Sequence, residues 1–173
     1  MTWNNIWHGI LLCQHTRDNK PYTISEHAVM KPQLLIIHRI THTLSSGIML
    51  LFVINWLLPN GYYIAALLAL SGAVFDVIEV LALNKQTASI TSHVDLHEKA
   101  TWLMALSYLL YVIAISYIAD VSPWLYASVF LICVLLFMRA RKGKFEDFWI
   151  IQMAFFVLIS GLGLIAHTTL LLR

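Results

Sequence analysis

Five long apolar runs occupy almost everything after residue 33. They extend over Leu34–Leu58, Tyr62–Leu83, Ala100–Ala119, Trp124–Met138 and Trp149–Leu172. A helix needs about 20 mostly apolar residues to cross a bilayer. Backbone inside hydrocarbon must satisfy its own hydrogen bonds, so such runs are read as helices. The expected fold class is therefore all-α, a multi-pass transmembrane helix bundle of five spans. The fourth run is the shortest, so a four-span bundle is the alternative. Residues 34–173 form the bundle on this reading, and residues 1–33 a separate cytoplasmic or interfacial segment.

Composition supports the same class. The chain is 60% hydrophobic and 12% charged, whereas soluble domains are about 45–50% apolar and about 25% charged. Disordered chains lie at the opposite, charge-rich extreme. The net charge of +2 is too small to argue for a nucleic acid partner. Cys13 and Cys133 lie far apart and form no CxxC motif, so no disulfide framework or thiol redox site is read. The N-terminus carries no basic segment ahead of a short apolar run, which makes it a poor secretory signal.

Lysine and arginine orient the bundle through the positive-inside rule. Arg139, Arg141, Lys142 and Lys144 cluster after the fourth run. Lys85 and Lys99 lie between the second and third, and Arg17, Lys20 and Lys31 precede the first. The turn at Pro59-Asn60-Gly61 and the connection at 120–123 hold no cation. An integral membrane protein with a cytoplasmic N-terminus and an outside C-terminus is expected. Trp3, Ile6, Trp7, Ile10 and Leu11 fall at helical spacing, which suits an amphipathic helix on the membrane or packed on the bundle. Thr23 and Glu26 make a capping-box pattern, and Pro32 breaks the chain before the first span.

Ionisable groups inside a membrane are costly, so each is a candidate functional residue. His38 and His42 are four apart in the first span and share a face; Asp76 and Glu79 are three apart in the second. His93 and His97 form another i, i+4 pair ahead of the third, with Ser92 and Asp95 as an N-cap signal. At 1.5 Å per residue, His38 lies about 6 Å into its span and His42 about 12 Å. Counted back from Leu83, Glu79 lies about 6 Å deep and Asp76 about 10 Å. The first two spans are joined by a tight turn and run antiparallel. His38 is then level with Glu79, and His42 with Asp76.

Three chemistries suit such a cluster. The leading one is a metal site with His38, His42, His93 and His97 as candidate ligands. Asp76 and Glu79 are candidate catalytic acid/base groups, further ligands, or partners that orient an imidazole. Imidazole with carboxylate suits zinc, iron or manganese. Haem b ranks below these, because only His42 and His97 offer an axial pair and the third span would have to tilt inward. An open coordination position would permit metal-dependent chemistry on a lipid or quinone-like molecule. The alternative is a non-catalytic subunit for proton or ion transport or for membrane-complex assembly. There Arg39 would pair with Asp76 or Glu79 in a buried Arg/carboxylate/His network. The expected partners are the lipid bilayer, a membrane-embedded small-molecule substrate and a second copy of the chain. His167 lies at the far end of the last span, away from the cluster. Ser45, Ser46 and Gly47, and Ser160 with Gly161 and Gly163, are read as small residues for close helix packing.

Overall fold

The computed structural model describes residues 28–29, 31–83, 96–142 and 148–172. Those residues form five long helices: α1 Pro32–Phe52, α2 Tyr63–Ala82, α3 Leu96–Ile118, α4 Pro123–Lys142 and α5 Phe148–Leu171. No strand occurs among the described residues. α1 continues as one π-helical stretch, Val53–Leu57. Four stretches, Pro32–Leu57, Tyr63–Ala82, Leu96–Ile118 and Ile150–Leu171, are long and apolar enough to cross a membrane. In α4 only Pro123–Arg139 is apolar, which is shorter. The chain is thus an all-α, multi-pass bundle with four to five spans.

Prolines mark helix starts here and not breaks. Pro32 opens α1 and Pro123 opens α4. The first turn of a helix has no use for the missing N–H, and the fixed φ is already helical. Arg139 to Lys142 continue the backbone of α4, so most of the basic run is helical, not loop. Of the N-terminal segment, Ala28 and Val29 are described, and they are buried against Leu83 and Leu35. The amphipathic stretch from Trp3 to Leu11 and the Thr23/Glu26 pattern lie outside the described residues.

Two chain reversals use one device. After the π turn, Gly61 N–H bonds Leu58 O and Tyr62 N–H bonds Leu57 O, each at 3.0 Å. After α3, Asp120 N–H bonds Tyr117 O at 3.1 Å and Val121 N–H bonds Ser116 O at 3.0 Å. Both are Schellman caps, which need a left-handed residue. Gly61 sits at φ 75° and Asp120 at φ 55°. Asp is among the few side chains that tolerate this region.

The polarity of the bundle is turned inside out. On α1 the buried positions are His38, His42 and Ser46, then Val53 and Leu57 in the π stretch. Ile36, Ile37, Ile40, Leu44, Ile48 and Leu51 point outward. In water such a surface would aggregate; in lipid it is the favourable one. α2 and α3 form the most intimate pair. Ala65, Ala66, Ala69, Gly72 and Ala73 give α2 a flat buried strip. Tyr108, Tyr111, Val112 and Ile115 of α3 are buried against the same core. A Cβ on Gly72 would stand 2.9 Å from the Tyr108 ring, so only glycine admits that ring. By contrast Gly47 and Gly161 have open space where a Cβ would go, so neither serves close packing inside the chain. Gly163 does, with Val112 at 3.4 Å.

The apolar core lies toward the Leu57/Tyr63/Ala119 end, with Val129, Cys133, Leu162 and Ala166 contributed by α4 and α5. The opposite end, where α1 starts and α2 ends, holds the buried polar side chains His38, His42, Asp76, Glu79 and His97 beside the small apolar cluster at Leu83.

Candidate metal centre

The site begins with two imidazoles on one stripe of α1. His38 and His42 are one helical turn apart, and their ring centroids are 4.2 Å apart. The next residue of that stripe is Ser46. α2 faces it with Asp76 and Glu79, both buried, Asp76 completely. The two pairs that sequence depth sets level are the pairs that meet. His42 Nδ1 lies 2.7 Å from Asp76 Oδ1, and His38 Nε2 lies 3.8 Å from Glu79 Oε2. Ser46 Oγ donates to the other Asp76 oxygen at 2.7 Å.

α3 adds a fifth ionisable group. His97 Nδ1 is 3.2 Å from Glu79 Oε1 and 3.2 Å from the Glu79 backbone oxygen. Both are acceptors, so Nδ1 donates to them. Trp102, one turn and a half along α3, is turned away toward Phe137 of α4. His97 thereby ties the start of α3 to the end of α2.

One donor atom from each of His38, His42 and Glu79 lies within 4.8 Å of the others. All three residues are buried. At metal–ligand distances near 2.1 Å, tetrahedral donors stand about 3.4 Å apart. The preformed group is therefore within small side-chain adjustments of a coordination shell. Glu79 Oε2 is buried and has no hydrogen-bond partner among the described residues. A carboxylate oxygen held that way is costly unless a cation balances it.

The candidate residues are thus divided. His38, His42 and Glu79 form the donor group. Asp76 holds His42, and His97 holds Glu79. His93 lies outside the described residues, as do Ser92 and Asp95. Arg39 does not join the network that sequence reading offers it. Among the described residues it forms no ion pair with Asp76 or Glu79; its Nη2 donates to Leu83 O at 2.9 Å. The reason is angular. One residue beyond His38, Arg39 is rotated about 100° from the polar stripe. It reaches the end of α2, where unpaired carbonyls and the negative end of the helix dipole attract a cation.

Two polar contacts escape the sequence reading. Ser46 is a hydrogen-bonding member of the site, and not only a small packing residue. Its place four residues after His42 was the available signal. His167 is the other. Its Nδ1 donates to Gly163 O at 2.6 Å, and Tyr111 donates its hydroxyl to Nε2 at 2.7 Å. Phe52 lies edge-on to the ring, with centroids 5.4 Å apart. Both nitrogens are thus satisfied, and this imidazole serves to join α5 to α3.

Compared with protein-family models, curated proteins and solved structures, the chain gives no match. The chain is thus a helical bundle of membrane character in which buried donor atoms of His38, His42 and Glu79 lie close enough together that they could hold a metal ion.

Proposed function

We propose that His38, His42 and Glu79 bind one divalent metal ion, and that the remaining coordination positions serve chemistry on a hydrophobic molecule of lipid or quinone type. The observation that carries this is the convergence of three buried donor atoms within 4.8 Å. Two imidazoles and one carboxylate are the donor set of catalytic zinc sites and of non-haem iron sites. Three protein ligands leave at least one position open, which is how catalytic sites differ from closed structural ones. An electron-rich group buried at this depth also favours a cation over vacancy, because Glu79 Oε2 lacks a donor among the described residues. The charge distribution of the connections supports a cytoplasmic location for this end of the bundle.

The charge-network alternative needs a permanent cation beside the carboxylates. Arg39 is spent on Leu83 O instead, which favours the metal. The test is metal analysis of protein purified in detergent without chelators, then stripped and reloaded with zinc or iron(II). About one equivalent per chain is expected for the wild type. His42→Ala is expected to lose it while its helical circular dichroism stays unchanged. A wild-type protein that takes up no metal before or after reloading contradicts the proposal.

A further inference from the structure

Asp76 is the most deeply enclosed charged residue among the described residues, at 0% exposure, yet it is not one of the three converging donors. It accepts from His42 Nδ1 at 2.7 Å on one oxygen and from the Ser46 hydroxyl at 2.7 Å on the other. These contacts have a direction. A carboxylate only accepts, so the proton shared with His42 sits on Nδ1. The lone pair of the imidazole is then on Nε2, and metal ligation requires a lone pair.

We infer that Asp76, with Ser46 behind it, is a positioning residue that holds His42 in the Nδ1–H form and so makes Nε2 its ligand atom. This rests on the metal reading above. The Ser46 hydroxyl has one proton, and it is given to Asp76 Oδ2. That matters for the isosteric variant Asp76→Asn. The Ser46 proton then selects the amide oxygen, and the amide NH2 is left facing His42 Nδ1. An NH2 group donates, so it favours the opposite tautomer, with the proton on Nε2 where the metal should bind. The same reversal of tautomer by an Asp-to-Asn change disables the histidine of serine proteases. Outer partners of ligating histidines are worth about 10–100-fold in metal affinity.

The experiment titrates cobalt(II) into stripped wild type, Asp76→Asn, and the double variant Asp76→Asn/Ser46→Ala, each in detergent. Alongside it, nitrogen-15 NMR of histidine-labelled, metal-free wild type reads the His42 tautomer, assigned by the signal lost in His42→Gln. Wild type should show Nδ1 protonated. Asp76→Asn should bind cobalt about 10–100-fold more weakly. The double variant should regain part of the loss, since the amide is free to rotate once Ser46 no longer chooses its face. A wild-type His42 protonated on Nε2 overturns the inference even if the Asp76 variants fail to fold. Unchanged affinity in Asp76→Asn overturns it while leaving the metal site standing. Absence of any regain in the double variant overturns the part assigned to Ser46. Wild type that binds no cobalt overturns the metal reading itself, and this role with it.

Discussion

Asp76 and Glu79 stand three residues apart on α2, yet they end in different company. Asp76 has both oxygens engaged, by His42 and Ser46. Glu79 has His97 on Oε1 and His38 at the longer 3.8 Å on Oε2. The consequence is a graded set of substitutions. Glu79→Gln removes a ligand outright and should abolish metal uptake, measured as metal per chain after reloading. Arg39→Gln should leave uptake unchanged, because Arg39 bonds Leu83 O and pairs with neither Asp76 nor Glu79. It should lower the thermal midpoint, since a hydrogen bond from a charged donor is worth about 1.5–3 kcal/mol. A loss of metal in Arg39→Gln would return Arg39 to the site. The matched depths of His38 with Glu79 and of His42 with Asp76 were legible in the sequence, because antiparallel neighbours with a tight turn leave one register. Which of the four groups are donors and which are props was not legible. That depends on side-chain direction around the helix, and a shift of 100° per residue sends Arg39 elsewhere.

At the scale of elements, the apolar runs translate into helices because nothing else can be buried in lipid. Their ends are less legible, since hydropathy does not mark them. α1 starts at Pro32, two residues earlier than the apolar run, and α4 continues through the basic residues to Lys142. The π turn at Val53–Leu57 has no signature in the apolar pattern at all. Two glycines illustrate how elements are held, for unlike reasons. At Gly61 an added Cβ meets nothing within 4 Å, but φ is 75°. Gly61→Ala should therefore cost only the left-handed penalty, about 1–2 kcal/mol. Gly72 is ordinary helix, but its Cβ would stand 2.9 Å from the Tyr108 ring. Gly72→Ala should cost about 1–3 kcal/mol through overpacking, and trimming the ring with Tyr108→Leu should recover part of it. Thermal unfolding in detergent reads both. Recovery of Gly61→Ala by Tyr108→Leu would contradict the distinction.

For the whole molecule, the governing fact is the inverted polarity. Aliphatic side chains of α1 face outward, while its histidines are enclosed by α2 and α3. Burying that many ionisable groups at one end weakens the bundle unless they are balanced, so the site and the stability of its end are linked. Metal loading should raise the thermal midpoint, by about 2.7 kcal/mol of added stability at a hundredfold excess over the dissociation constant. The orientation proposed from the positions of the cations has its own check. A cysteine at Asn60, in a background lacking Cys13 and Cys133, should react with an impermeant reagent on intact cells. Reaction only after permeabilisation would reverse the topology. The central claim is the triad, and X-ray absorption at the edge of the reloaded metal tests it most directly. The account predicts the multiple-scattering signature of two imidazoles with an oxygen donor near 2.0–2.2 Å in the wild type, and no such signature in His42→Ala or Glu79→Ala, which retain no metal after reloading. A wild-type spectrum without imidazole scattering, or one unchanged in both variants, would contradict it.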